Sequence, residues 1–344
     1  MFIHVITLLF ITSYLHGAQE ITHVCCLPVA DVVARPGVVY RLTAPVVPYH
    51  APEILAQLIY GEEAIVHAQN GMFSEISIPS QHVTINNKLT PLRGWVLSAS
   101  LAEKQPISAH QKYIVCATPW TAAYQADHEN RYTYTFITAL PFGTILPLIE
   151  TSGNWIRVRL PDGQHAAVPR SAVAPFPPHE KYDALRKLIV ARARQFIGMP
   201  YCWGGMSPHQ PMWPDKLSSF DCSGLMYRVM SSCGITVPRN SRSQYRAAQP
   251  CTPHELQAGD LVFLAHPAKK DVSSAVFHVL LYTGDNTLIE AWTEHHLPDY
   301  HAQPIREVSI EERLGKPLAE LSQGMLCTQG YRCYFGKAII SLPK

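Results

Sequence analysis

Ser219-Phe220-Asp221-Cys222-Ser223-Gly224-Leu225-Met226-Tyr227-Arg228-Val229-Met230 is the stretch on which the fold of the C-terminal half turns. From Ser223 onward its apolar residues, Leu225, Met226, Val229 and Met230, fall at the spacing of a buried helix. Asp221 is a capping residue type, standing where that helix would begin. Cys222 then lies in the first turn, where unpaired N–H groups carry partial positive charge. Such charge stabilises a thiolate and lowers its pKa, which suits a nucleophilic sulfur. Position alone fits a buried structural cysteine equally well.

The sequence beyond supplies partners. Leu261–Leu264 reads as a strand after the turn Ala258-Gly259-Asp260, and Ala275–Tyr282 as a second strand carrying His278. Gly284-Asp285-Asn286 reads as a turn, and Thr287–Trp292 as a third strand carrying Glu290. His278 and Glu290 are equally far from Gly284. A hairpin pivoting there sets them opposite each other on one face of the sheet. A carboxylate beside an imidazole fixes its tautomer and favours the imidazolium. Cys222, His278 and Glu290 together offer nucleophile, base and orienter. A core histidine or a strand-edge glutamate explains each residue singly, but not the three together.

Upstream the texture differs. Ala30 to about Ser108 is rich in β-branched residues, with short alternating runs at Val39–Thr43, Ala64–Ala68 and Gly94–Ser98, and predicts a small all-β unit. Gln111 to Ala174 predicts a second, with strands in Thr135–Thr138, Leu140–Leu148 and Gly153–Leu160, the turn Pro161-Asp162-Gly163, and Ala166–Pro169. Ala174–His179 is Pro-rich and reads as an extended connector. Lys181–Ile197 has helical apolar spacing and ends at Gly198.

The chain of 344 residues is 47% hydrophobic, enough for two or three domains, and its net charge of +2 argues against a nucleic-acid binder. The apolar run Val5–Leu15, followed by Gly17 and Ala18, suits a signal peptide and is too short to span a membrane; a buried N-terminal strand is the other reading. No later segment is apolar enough for a span. The nine cysteines leave at least one thiol free, or paired between chains, in an exported protein. Cys327 and Cys333 stand close enough in sequence for a local bridge. No Cys-x-x-Cys pair marks a zinc ribbon.

The ordered pieces Tyr201-x-Trp203-Gly204-Gly205, Asp221-Cys222-Ser223-Gly224, Pro238–Gln244, Ala258–Phe263, Phe277-His278-Val279 through Gly284, and Leu288–Ala291 resemble the NlpC-type family of papain-like bacterial cell-wall cysteine peptidases. The two β units resemble tandem bacterial SH3-like barrels. The resemblance implies a multi-domain protein: two small all-β barrels, then an α+β papain-like domain. Its expected boundaries are a signal peptide at 1–18, barrels at 24–108 and 109–176, and the catalytic domain at 177–344. It implies a γ-D-glutamyl–diamino acid endopeptidase acting on stem peptides with a free N-terminal L-Ala.

The catalytic set it implies is Cys222, His278 and Glu290, where relatives often carry His at the third place. Glu62, in Tyr60-Gly61-Glu62, and Asp221 are expected to meet the substrate amine. Tyr201, Ser223 and Ser241 are expected to line the site. The Tyr that relatives carry before a Gly-Trp pair is missing from Pro91–Trp95. No metal or organic cofactor is expected. The implied partner is peptidoglycan or a muropeptide, met by a monomer in the periplasm or cell envelope, with a cytoplasmic recycling role as the other location. A catalytically silent wall-binding protein and an amidase on the same fold are the competing readings.

Overall fold

The computed structural model describes residues 22–37, 53–106, 108, 110–126, 132–208, 219–269, 271–292 and 304–338. The expected signal peptide and the strand expected at Val39–Thr43 lie outside them.

The first β unit contains β1 (His23–Cys25), β2 (Val29–Val33), β3 (Ile54–Ile59), β4 (Glu63–Asn70), β5 (Phe73–Ile85), β6 (Lys88–Leu97) and β7 (Leu101–Glu103), in the order β3-β2-β6-β5-β4-β1-β7. All its pairings are antiparallel. The register of β5 against β6 breaks between Ile78 and His82. Past this bulge the two strands continue as an arm, closed by Asn86 and Asn87, both at positive φ.

The second unit contains β8 (Tyr113–Cys116), β9 (Trp120–Ala126), β10 (Tyr132–Pro141), β11 (Ile145–Ser152), β12 (Trp155–Arg159), β13 (His165–Pro169) and β14 (Val173–Phe176), in the order β10-β9-β13-β12-β11-β8-β14. Half of the expected connector is therefore strand: Val173–Phe176 pairs with β8. Pro175 is tolerated there because β14 is an edge strand.

The third unit is one antiparallel sheet, β15 (Gln249–Pro250), β16 (Leu261–Ala265), β17 (Val276–Tyr282), β18 (Thr287–Glu290), β19 (Arg306–Ser309) and β20 (Arg332–Lys337), ordered β15-β20-β16-β17-β18-β19. Helices α1 (Tyr182–Arg194), α2 (Cys222–Ser232), α3 (Ser241–Ala247), the short α4 (Val272–Ala275) and α5 (Ile310–Leu314) accompany it. The alternation in β16 and β17 divides the core. Leu261, Phe263, Val279 and Leu281 face α1 and α2, whereas Val262, Leu264, Leu280 and Tyr282 face α5 and the C-terminal turns.

Nearly every residue of α2 is buried, so this helix is central rather than amphipathic. Asp221 caps it, accepting from the Gly224 N–H at 2.6 Å. A Cβ on Gly224 would run into the carbonyl oxygen of Gly205, so glycine lets the helix meet the preceding loop backbone to backbone. Gly204 does the same for the first β unit, whose Ile54 occupies the space a Cβ would take.

The units meet in one shared cluster, beside clusters of their own in the second and third. Val32, Leu58, Ile76 and Ile78 from the first, Phe142 from the second, and Phe196, Phe220 and Leu225 from the third form a single cluster. Phe196 stands between Phe142 (4.9 Å) and Phe220 (4.7 Å), centroid to centroid. The β5–β6 arm adds polar ties: Thr84 N–H donates to Ser243 Oγ at 2.8 Å, and Arg239 N–H to the His82 carbonyl at 2.7 Å.

Candidate active site

Cys222 is the first residue of α2 and is 8% exposed. Helix α2 packs on β17, and the sulfur faces the backbone N–H groups of Ser223 and of Val279, the residue after His278. Burial, then the adjacent Asp221 carboxylate, push the thiol up to about 12, against the pull of those N–H groups and of Arg239. The thiolate expected from helix position is thus outweighed by desolvation. Among the described residues, no hydrogen bond joins the sulfur to the His278 ring.

His278 and Glu290 meet through Nε2 and Oε2 at 2.9 Å. They are not directly opposite, as a pivot at Gly284 would have them. The register pairs Leu281 with Ile289 and Tyr282 with Leu288, which centres the turn on Asp285. Positive φ at both Gly284 and Asn286 accommodates that turn. The shift places His278 diagonal to Glu290 and, being an even step, leaves both side chains on one face. A carboxylate only accepts, so Nε2 carries the ring proton and Nδ1 keeps its lone pair.

Glu290 is fully buried, and His278 does not have it to itself. Arg306 Nε and Nη2 donate to its Oε1 at 3.0 and 2.8 Å, and Arg313 Nε donates to both oxygens at 3.0 and 2.9 Å. Burial raises the Glu290 pKa, but His278 and Arg313 hold it down at about 2. Burial lowers the His278 pKa; Glu290 raises it, while Arg313 and Arg306 lower it again. The net direction is down, so the imidazolium that Glu290 was expected to favour is disfavoured.

Asp221 was expected to hold an amine. Its Oδ1 accepts from Gly224 N–H, Ser223 Oγ and Arg239 Nη1, and its Oδ2 from Gly204 N–H and Arg239 Nη2. Ser223 Oγ also accepts from Arg239 Nη1. Tyr201 is buried near Cys222 and Asp221; burial pushes its phenol up, and the charge Cys222 would carry as a thiolate and the Asp221 carboxylate push the same way. Ser241 opens α3, buried, behind the Asn240 cap.

Glu62 sits elsewhere. It accepts from Arg228 Nη1 and Nη2 at 2.7 and 3.2 Å and from Ile59 N–H at 2.8 Å. Arg228 lies six residues beyond Cys222 on α2, about 9 Å along the axis and on a different side of the helix. The pair borders a cavity of about 360 Å³ among Tyr60, Tyr113, Gly143 and Tyr227, where both β units meet the helix. The structure therefore gives the Glu62 carboxylate to Arg228, with Cys222 outside that cavity's lining.

Sequence reasoning missed the arginines. Arg239 stood in plain view within Pro238–Gln244. Arg228, Arg306 and Arg313 carry no local signal, since each finds its carboxylate only in the folded chain. No group of side chains suited to a metal ion occurs among the described residues, and no described helix is long and apolar enough to cross a membrane. Cys327 and Cys333 are both free thiols.

Comparison with known proteins agrees with this architecture. Residues 198–314 match the NlpC/P60 family, and residues 130–176 match the YKFC SH3b2 domain. The chain is similar to a gamma-D-glutamyl-L-lysine dipeptidyl-peptidase of Bacillus subtilis, 27% identical over 238 residues, covering 69% of this chain and 72% of that protein. A protein of the same description from Bacillus cereus is 26% identical over 245 residues, with 70% and 68% covered. A solved NlpC/P60 family protein from Bacillus cereus shares the fold at a TM-score of 0.67 and 22% identity, covering 84% of this chain and 94% of that one. The chain thus carries an NlpC/P60 domain behind two SH3-like β units.

Proposed function

We propose that the protein is a cysteine peptidase that hydrolyses the γ-D-glutamyl–diamino acid bond of peptidoglycan stem peptides bearing a free N-terminal L-Ala. One observation carries the reading. A cysteine at the N-terminus of a buried helix faces the strand of a histidine, and that histidine is held by a buried glutamate at 2.9 Å. The relatives named for γ-D-glutamyl-L-lysine cleavage support the substrate class.

The electrostatics set the order of proton transfers. Cys222 rests as a thiol and His278 as a neutral imidazole. As the sulfur attacks the γ-glutamyl carbonyl, His278 Nδ1 takes its proton. Backbone N–H groups at the start of α2 face the developing oxyanion. His278 then protonates the leaving amine, and water, activated by the same base, hydrolyses the thioester. Glu290 keeps the ring in the tautomer that this sequence requires. Tyr201, Ser223 and Ser241 border the thiol side of the cleft, and Arg239 fixes Asp221 and Ser223 there. A peptide with a free N-terminal L-Ala is one already cut from the glycan, met in the periplasm or cell envelope or, in a recycling role, in the cytoplasm.

Incubation with L-Ala-γ-D-Glu-L-Lys, or its diaminopimelate analogue, is expected to release L-Ala-D-Glu. Cys222→Ala and His278→Ala are each expected to abolish release. Undiminished cleavage by Cys222→Ala would remove the assigned nucleophile. Binding of muropeptide with no cleavage by the unaltered chain would favour a wall-binding protein instead.

A further inference from the structure

We propose that Arg313, assisted by Arg306, is a positioning residue of the site: the two guanidinium groups claim the charge of Glu290, so that this carboxylate orients His278 without charging it. The proposal rests on the assignment of His278 as base.

The geometry is that of a shared carboxylate. Glu290 has two oxygens and three cationic or potentially cationic neighbours. Arg306, on β19, approaches Oε1 through two nitrogens. Arg313, on α5, straddles both oxygens through Nε. His278, on β17, shares Oε2 with Arg313. Before His278 binds a second proton, the cluster already holds one negative and two positive charges. An imidazolium there would add a third positive charge where solvent screens little, since Glu290 is fully buried and Arg313 and His278 side chains are each 3% exposed; Arg306 alone reaches solvent. On the α2 side, the Cys222 thiol faces the N–H of Val279, next to His278 in sequence, and is uncharged at rest.

Arg313 is itself held. Its guanidinium lies 4.6 Å over the Trp292 ring, whose own plane meets the His278 ring edge to face at 4.6 Å. Its Nη1 donates to Gln329 Oε1 at 3.0 Å. Trp292 thus packs against both the imidazole and the guanidinium, and the charge opposing protonation of His278 is held in place. A lone glutamate would do the reverse. It would pair with the imidazolium and leave a base already occupied at neutral pH.

The test is a titration of His278 in the full chain, its ring signal identified by NMR through its loss in His278→Gln. Removal of the positive charge in Arg313→Met is expected to raise the His278 midpoint by about one pH unit, and the acid limb of kcat/KM on the tripeptide is expected to rise with it. Arg313→Lys, which keeps the charge, is expected to stay near the parent value. Arg306→Gln is expected to move the midpoint the same way by less, because that side chain is 36% exposed and screened by solvent. It is also the variant that decides if Arg313→Met does not fold. An unmoved midpoint in the folded arginine variants would overturn the proposal, even with activity lost. Midpoints that move while no peptide is cleaved would sink the peptidase assignment and leave the charge relation standing.

Discussion

At the scale of single residues, the carboxylates in the neighbourhood of α2 are nearly all spoken for by arginine. Asp221 belongs to Arg239, Glu290 to Arg306 and Arg313, and Glu62 to Arg228. Glu62 is the case where the consequence departs most from sequence expectation. As an amine clamp, Glu62→Gln would change selectivity for a free N-terminus and leave the fold alone. As the partner of an arginine whose side chain is 2% exposed, it leaves a buried guanidinium without a counter-charge. Breaking such a pair costs about 3–5 kcal/mol. Glu62→Gln is therefore expected to lower stability by several kcal/mol in denaturant unfolding, with an unchanged ratio of kcat/KM between free and N-blocked tripeptides. A stable variant with collapsed preference for the free amine would restore Glu62 to substrate recognition.

At the scale of elements, much was legible because the governing signals are local. The helix at Cys222, its Asp221 cap and the paired strands of His278 and Glu290 all follow from periodicity and turn residues. Even the misplaced pivot of the β17–β18 turn did no harm, because a shift of two residues returns each side chain to the same face. The arginine contacts were illegible for the opposite reason. Arg306 and Arg313 stand 16 and 23 residues from Glu290, and Arg228 stands 166 from Glu62. The short helix Ile310–Leu314 delivers Arg313. Helix α2 offers a sharp test at Gly224. Propensity alone predicts that alanine in a helix gains about 1 kcal/mol over glycine. Here the added methyl meets the Gly205 carbonyl, a backbone atom that cannot step aside. Gly224→Ala is expected to lower the unfolding midpoint, as overpacking costs about 1–3 kcal/mol. It is also expected to reduce kcat, since the displaced loop carries Tyr201. A raised midpoint would mean that the loop and helix are not held in contact.

At the scale of the whole molecule, the three units meet in one core cluster, though the second and third also keep clusters of their own. Independent beads on a string would each bury their own apolar side chains, and the peptidase unit would not need the β units in order to stand. Instead, Phe142 of the second β unit lies edge-on to Phe196, which contacts Phe220 one residue before Asp221. All three rings are fully buried. Removing a buried phenylalanine costs about 3–5 kcal/mol, and here the cavity would open beneath the start of α2 rather than inside the β unit that carries the substitution. Phe142→Ala is therefore expected to lower a single calorimetric transition of the whole chain and to reduce cleavage, although the residue stands 80 positions before Cys222 by the numbering. If the transition instead divides, with the second β unit melting early and the peptidase unit melting at its former temperature with its former activity, then the shared cluster is contact without cooperation. On the cooperative outcome, the β units are part of the frame that holds the Cys222 thiol, the His278 ring and its arginine-bound carboxylate in register.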